Sequence, residues 1–217
     1  MNRRLHPLYL LLASSLALGC DARGIWVGSE ELCVADEALF TLRTSSTERV
    51  STCARVGENQ LNNAGFESPT SACEDGYCQF TVGALGGWET SSAAQVVEIW
   101  SDGHRGVAAP EGSQFVELNA TSQDTLWQDV ELAPQQLMYW SFLHRGRNGI
   151  ESVALQVGPP DATSSQGIFT SSADYWTTYS GLYRSGPEET VTRFALVSLD
   201  GTTEGNLVDA VVFAPVD

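Results

Sequence analysis

The stretch Leu126-Trp127-Gln128-Asp129-Val130 decides the fold class, because apolar and polar side chains alternate along it. A period of two is typical of a β-strand that buries one of its faces. The alternation puts Leu126, Gln128 and Val130 on one face. It puts Trp127 and Asp129 on the other face, so we expect Trp127 to be exposed if the first face covers a core.

The chain from residue 60 onward repeats a pattern of strand, turn and strand. Short runs rich in Val, Leu, Phe, Tyr, Trp and Thr are separated by clusters of Gly, Pro, Asp and Ser. No long stretch keeps the period of an amphipathic helix. The sequence therefore predicts an all-β fold, an antiparallel β-sandwich of the jelly-roll type. The predicted strands are residues 60–67, 79–82, 94–100, 114–119, 125–132, 137–145, 151–157, 176–183, 190–199 and 206–213.

The composition excludes several classes of function. The 217 residues include 27 acidic residues and 11 basic ones, all of them Arg, for a formal net charge of −16. Without Lys there is no Schiff-base chemistry and no Lys-rich nucleic-acid patch. The negative charge opposes unassisted binding to phosphate backbones or anionic lipid, so we expect no nucleic-acid partner.

The N-terminus carries an export signal. Two arginines precede an apolar stretch, residues 8–18, that ends in Ala17-Leu18-Gly19-Cys20. The stretch is too short for a permanent membrane span and is typical of a secretory signal. Small residues before a Cys resemble the lipobox of bacterial lipoproteins, which implies removal of residues 1–19 and lipidation of Cys20. An ordinary signal peptide with an incidental Cys is the alternative.

If the resemblance holds, the protein is lipid-anchored on the extracytoplasmic side of the inner or outer membrane of a bacterial cell envelope. Its other cysteines are Cys33, Cys53, Cys73 and Cys78, an even number that predicts disulfides in an exported protein. We predict the local pairs Cys33–Cys53 and Cys73–Cys78, with the other pairings open. A zinc site is the rival, but it lacks a CxxC pair.

Residues 20–60 differ in composition from the rest of the mature chain, and we expect a tether with a small disulfide-bonded extension. Residues 61–217 are then the jelly-roll domain. Its motifs stand in a definite order: NNAGFE (62–67), GW (87–88), QDVEL (128–132), LMYWSF (137–142) and NLVDAVVF (206–213). This order resembles the galactose-binding-like β-jelly-roll superfamily, including carbohydrate-binding modules of families 4, 9 and 22, over roughly residues 61–214.

The resemblance implies a structural Ca²⁺ that Glu67 and Asp209 help to hold. Carboxylate and carbonyl oxygens are the ligands that Ca²⁺ prefers, and the ion would pin the two ends of the domain together. The superfamily usually has a second Asp where this chain has Ala210, which weakens the site. The alternative is that both carboxylates serve only as hydrogen-bonding residues at strand ends.

The resemblance also implies a carbohydrate ligand. Sugar rings stack on Trp and Tyr, and neighbouring polar side chains bind their hydroxyl groups. The alternative for each Trp is a place in the core. Arg145 belongs to the basic run 144–147, which serves either as an anion clamp or in charge pairing. The candidate ligand-binding residues are Trp100, Trp127, Gln128, Asp129, Arg145 and Trp176.

No catalytic motif is present. HExxH, GxSxG, SxxK and the P-loop are all absent, and nothing near His104 or His144 prepares a nucleophile. Glu98, Glu117 and Asp129 lie on or next to strands rich in aromatic residues and could supply a catalytic carboxylate pair. Ordinary solvent-facing positions of a strand have the same pattern. We therefore predict a non-catalytic envelope lipoprotein that binds glycan. The alternatives are a structural or adhesive module with a protein partner, and a small hydrolase, which a close carboxylate pair in a deep pocket would favour.

Overall fold

The computed structural model describes residues 24–27, 30–35, 39–44, 52–70, 75–200 and 203–216, with the strands up to residue 54 as backbone. In chain order the strands are β1 (Gly24–Val27), β2 (Glu30–Ala35), β3 (Leu39–Thr44), β4 (Thr52–Arg55), β5 (Tyr77–Thr81), β6 (Glu89–Thr90), β7 (Val96–Ser101), β8 (Gln114–Glu117), β9 (Thr125–Glu131), β10 (Leu137–Arg145), β11 (Glu151–Gly158), β12 (Ser164–Ser171), β13 (Thr177–Arg184), β14 (Val191–Ser198) and β15 (Leu207–Pro215).

Strands β5 to β15 form the predicted antiparallel sandwich. One sheet has six strands in the order β13-β10-β15-β8-β7-β5, and the other has five in the order β12-β11-β14-β9-β6. Helix in the described ranges is confined to two 3-10 turns, Val82–Ala84 and His104–Gly106. None of the helical segments described could cross a membrane. The all-β prediction is confirmed.

The core lies between the two sheets and follows the period of two. In β9 the side chains of Leu126, Gln128 and Val130 are buried, whereas Asp129 is exposed. Opposite them the six-stranded sheet contributes alternate residues of β7, β10 and β15 to the same cluster. The sandwich core includes Val97, Ile99, Val116, Trp140, Phe142, Leu155, Phe194, Leu196, Val211 and Phe213.

The opening and closing segments of the sandwich are adjacent, as the motif order predicts. The N–H of Gly57 donates to the carbonyl of Pro215 (2.8 Å), and the N–H of Gln60 donates to the carbonyl of Phe213 (2.8 Å). Val56 also forms an isolated antiparallel bridge with Val216. The chain therefore joins the sandwich just after β4.

The NNAGFE motif forms a turn and not the strand predicted over residues 60–67. Asn63 and Phe66 have positive φ angles of 50° and 57°, which a strand cannot contain. The turn buries Phe66 against Trp88 with ring centres 5.3 Å apart, and the Trp88 indole N–H donates to the Asn63 carbonyl (3.1 Å). The NNAGFE and GW motifs are thus two halves of one packing unit.

Before the sandwich, β1 to β4 form a separate antiparallel sheet in sequential order. Cys33 and Cys53 both pair with Thr41, one from each side. Two strand spacings, roughly 9–10 Å, therefore separate their Cα atoms. A disulfide needs less than about 7 Å, so this register does not accommodate the Cys33–Cys53 bridge.

Cys78 on β5 is disulfide-bonded. Its predicted partner, Cys73, lies outside the described residues, and so does Cys20, the predicted site of lipidation. Both assignments stay predictions.

Candidate functional site

Trp127 and Asp129 lie on the outer face of the five-stranded sheet, as the alternation predicts. Arg193, on the neighbouring strand, covers them. Its guanidinium binds the Asp129 carboxylate with two hydrogen bonds of 2.7 and 2.8 Å, and its Cζ atom lies 5.0 Å from the centre of the Trp127 ring. Trp127 is half-buried, and a ligand that stacks on it would have to move Arg193.

Gln128 is a structural residue and not a ligand-binding one. Its side chain is 3% exposed and points to the turn at Asn62. The Gln128 amide oxygen accepts the Asn62 N–H (2.7 Å), and its NH₂ group donates to the Asn62 carbonyl (3.1 Å). The Gln128 amide therefore makes the hydrogen bonds that the backbone of this turn does not make with a strand. This explains why a polar side chain lies on the core face of β9.

The outer face of the six-stranded sheet carries an aromatic row. Tyr77, Trp100 and Phe115 stand directly opposite one another on β5, β7 and β8. Trp100 is 1% exposed, and the His104 ring packs against it edge-on at 4.5 Å. At the far end, Trp176 packs edge-on against Phe115 at 5.4 Å.

Of the three tryptophans predicted to stack on sugar, Trp100 and Trp176 lie on this face, and both have packing roles. The Trp176 indole N–H donates to the carbonyl of Ala108 (2.9 Å), so the ring fixes the loop between β7 and β8. Trp100 is covered by its neighbours. Tyr77, which is 39% exposed, is the most exposed ring of the row, and Trp176 is half-buried.

A polar row runs beside the aromatic one. Gln79, Glu98 and Glu117 stand opposite one another across β5, β7 and β8. Glu98 accepts hydrogen bonds from the Trp100 indole (2.8 Å) and the Gln79 amide (3.0 Å). Glu98 is therefore held by its own strand, through Trp100, and by β5, through Gln79.

Glu117 and Arg147 form a buried ion pair. Arg147 Nη1 lies 2.7 Å from Glu117 Oε1, and the two side chains are 7% and 0% exposed. Arg147 also binds Glu204 (2.9 Å), and its Cζ atom lies 4.9 Å from the Trp100 ring centre. For Arg147, the charge-pairing interpretation of the basic run is the one that the structure supports.

Burial raises the pKa of Glu117 to about 8, and a hydrogen bond to the Glu98 carboxyl acts in the same direction. The Arg147 guanidinium and the Gly205 N–H act against this shift. Glu117 therefore keeps its proton up to a higher pH than an exposed glutamate does. Burial and the nearby Arg105 lower the pKa of His104, which keeps its ring neutral.

A polar cavity of about 270 Å³ opens over these rows. Charged and amide groups of the sheet form its floor, and the loops after β7 and before β15 form its walls. The lining residues are Tyr77, Gln79, Glu98, Trp100, His104, Arg105, Ala120, Arg147, Thr203 and Glu204. Trp100 is the only residue of the sequence-based ligand set that lines this cavity.

Arg145 ends β10 on the outer face, outside the cavity lining. It stands opposite Leu207, which in turn pairs with Glu117. Its Nε atom is buried without a hydrogen-bond partner. The structure therefore separates Arg145 from Trp100, with which the sequence grouped it.

The carboxyl pair does not have the geometry of a glycosidase. Glu98 and Glu117 hydrogen-bond to each other, whereas glycosidases hold their two carboxyls at least about 5 Å apart. Glu98 is also engaged by Trp100 and Gln79, and Glu117 by Arg147. The oxygen of the pair that has no hydrogen-bond partner, Glu117 Oε2, is buried.

Ser171, His144 and Asn206 form a hydrogen-bonded chain that is sealed from solvent. The Ser171 hydroxyl lies 2.9 Å from His144 Nδ1, and His144 Nε2 lies 2.8 Å from Asn206 Oδ1. Burial lowers the pKa of His144, and its ring stays neutral. All three residues are at most 4% exposed, so no substrate reaches the hydroxyl.

Glu67 and Asp209, the predicted calcium ligands, lie at the same end of the sandwich. Asp209 is fully buried and accepts hydrogen bonds from the backbone N–H groups of Ala210 (2.7 Å) and Glu111 (3.4 Å). Burial raises the pKa of Asp209 to about 7, and the carboxylates of Glu111 and Glu67 add to the shift. The two neighbouring carboxylates therefore oppose the ionisation of Asp209.

Glu67 also accepts hydrogen bonds from protein groups. The backbone N–H groups of Ser113 (2.8 Å) and Gln114 (2.9 Å) donate to its carboxylate. Within the described ranges, no three His, Cys, Asp or Glu side chains are arranged to hold a metal ion by themselves. Backbone carbonyls would have to complete the coordination.

The sandwich is similar to solved carbohydrate-binding domains. The CBM22-1 xylan-binding domain from Paenibacillus barcinonensis Xyn10C matches with a TM-score of 0.50 at 13% identity, over 74% of this chain and 96% of that one. A family 61 module in complex with β-1,4-galactotriose matches with a TM-score of 0.48 at 19% identity, over 72% and 98%. The C-terminal family 22 module of Clostridium thermocellum Xyn10B matches with a TM-score of 0.48 at 15% identity, over 67% and 96%.

No protein-family profile and no curated protein sequence matches the chain. The likeness is therefore one of architecture, at identities too low to carry residue roles across. This agrees with the fold that the order of the motifs predicts. The chain has a β-sandwich fold of the jelly-roll type, similar to that of the CBM22-1 xylan-binding domain.

Proposed function

We propose that the sandwich is a non-catalytic carbohydrate-binding module whose ligand site is the polar cavity over Trp100. One observation carries the proposal: the cavity joins the accessible Tyr77 ring to a floor and walls of hydrogen-bonding groups. An aromatic face beside fixed donors and acceptors is the arrangement that recognises a sugar ring. The CBM22-1 domain, which has the same fold, is described as xylan-binding, and this supports a glycan ligand.

The first prediction concerns Tyr77. Replacing Tyr77 with Ala removes the accessible ring, and we expect oligosaccharide affinity to fall at least tenfold, which is about 1.4 kcal/mol. The melting temperature should stay nearly constant, because the ring is partly exposed and the backbone of β5 is unchanged. A glycan array that contains xylo- and galacto-oligosaccharides would identify the ligand, and calorimetry on the full chain would measure the loss.

Tyr175→Ala is the matched control. Tyr175 is 64% exposed and does not line the cavity, so its removal should leave affinity unchanged.

Trp127→Ala decides between the two sheet faces. If Trp127→Ala abolishes retention while Tyr77→Ala does not, the ligand site is the Trp127 surface and the cavity assignment is wrong.

We also infer that Glu67 and Asp209 help to hold a structural Ca²⁺. The support is the buried, charge-crowded Asp209 carboxylate, whose hydrogen bonds come from backbone amides rather than from a basic side chain. The ion would neutralise the acidic groups at this end of the domain and would not act in ligand binding.

A separate proposal concerns anchoring. We infer from the lipobox-like tetrad that Cys20 carries the lipid that holds the domain at the bacterial envelope. Cys20→Ala should move the protein from the membrane fraction to the soluble fraction, because each buried CH₂ of an acyl chain contributes ~0.8 kcal/mol. Unchanged fractionation would contradict lipidation.

A further inference from the structure

Among the described residues, Arg105 has no acidic partner at the cavity. The chain has 27 acidic and 11 basic residues, so carboxylates are abundant. Arg147 and Arg193 each form ion pairs with them. No described residue forms a hydrogen bond or salt bridge with the Arg105 guanidinium, which is exposed and lies with its Cζ atom 5.9 Å from the Trp100 ring centre.

Hydrogen bonds fix the backbone of the loop that carries Arg105. Gly103, Arg105 and Gly106 all have positive φ angles, of 79°, 50° and 78°. The Gly106 N–H donates to the Gly103 carbonyl (3.0 Å), and the Val107 N–H donates to the His104 carbonyl (3.0 Å). Glycine would adopt the backbone of Arg105 without strain, so an arginine there points to a use for its side chain.

The size of the cavity limits the ligand to a small group. Its volume of about 270 Å³ lies just below the usual range for ligand pockets, which suits one sugar unit and not a chain segment. The net charge of −16 opposes the approach of a polyanion. A single charged unit on an otherwise neutral glycan avoids that repulsion.

We propose that the unit bound in the cavity is an anionic sugar, of the uronic-acid class, whose carboxylate the Arg105 guanidinium binds. This inference rests on the proposed function. A guanidinium matches a planar carboxylate with two parallel hydrogen bonds. The Glu204 carboxylate and the Gln79 amide, which also line the cavity, then bind the hydroxyl groups of the same unit.

The test compares oligosaccharides that differ only in one terminal unit: galactose, galacturonic acid or galactose 6-sulfate. Calorimetry on the full chain at fixed salt should show the acidic ligand binding at least tenfold more tightly than the neutral one. Arg105→Gln should remove that preference and leave the weaker binding of the neutral ligand. Arg105→Lys should restore part of it, because it returns the charge without the two-pronged geometry.

Arg184→Gln is the control for net charge, since Arg184 lies at the end of β13 and bonds to the Gln135 carbonyl. It should keep the full preference for the acidic ligand. If only the oligosaccharide with galactose 6-sulfate binds tightly, and Arg105→Gln loses that binding, then the group that Arg105 binds is the sulfate and not the carboxylate. Equal binding of neutral and acidic ligands would overturn this inference and leave the proposed function standing. Failure of every oligosaccharide to bind would overturn both.

Discussion

A chain with Arg147 replaced by alanine is expected to lose about 3–5 kcal/mol of unfolding free energy at pH 9, above the raised pKa of Glu117, where the Glu117 carboxylate is ionised. The substitution leaves Glu117, whose side chain is 0% exposed, without its cation and beside the Glu98 carboxyl. It also removes the guanidinium that covers Trp100. Denaturant unfolding monitored by tryptophan fluorescence measures the loss as a shift in midpoint at constant slope.

Glu117→Gln is the matched variant. Its amide oxygen can still accept from Arg147, and its NH₂ group can donate to Glu98, so we expect a change within about 1 kcal/mol. The loss in Arg147→Ala should be smaller at pH 5 than at pH 9, because at pH 5 Glu117 holds a proton and needs no cation. A loss that is below 1 kcal/mol at both pH values would show that the pair is solvated.

The architecture could be predicted from two features of the sequence, the segments with a period of two and the order of the motifs. Both depend directly on which side chains are buried. The alternation in β9 assigned Trp127 to the outer face, and the structure confirms that side. Strand β12 was missed because its first residues, Ser164 to Gly167, are polar or small and signal no buried face. It is the edge of its sheet, where backbone pairing with β11 carries the strand.

The site was harder to predict, because it depends on which strands are neighbours. Glu98 and Trp100 alternate with core residues in β7, so their outward direction could be found from the sequence. That Glu98 meets Glu117, and Trp100 meets Tyr77, follows only from cross-strand register. Arg147 reaches Glu117 from a loop, and no spacing in the sequence predicts that contact.

Removing calcium is expected to lower the stability of the domain substantially. For a single site and calcium at 100 times its dissociation constant, binding contributes about 2.7 kcal/mol. In a domain of this size that corresponds to roughly 5–10 °C in melting temperature. Calorimetric scans of the full chain in excess calcium and in chelator measure the difference. Asp209→Asn should melt at the same temperature in both conditions, and an unchanged wild-type melting temperature in chelator would remove the calcium proposal.

The pH dependence of the metal-free protein tests the same carboxylate independently. The pKa of Asp209 is raised from its usual 3.8 to about 7, so the folded state keeps a proton that the unfolded chain releases. The stability this group contributes is therefore present below about pH 4 and is lost as the pH rises towards 7, by up to ~1.4 kcal/mol per pH unit. Glu117 acts in the same direction, so the difference between wild type and Asp209→Asn isolates Asp209.

In chelator, the wild type should lose more stability than Asp209→Asn between pH 4 and pH 7, and excess calcium should abolish that difference because a bound cation favours the ionised carboxylate. Parallel pH profiles in chelator would mean that Asp209 is ionised without a metal and has no need of one.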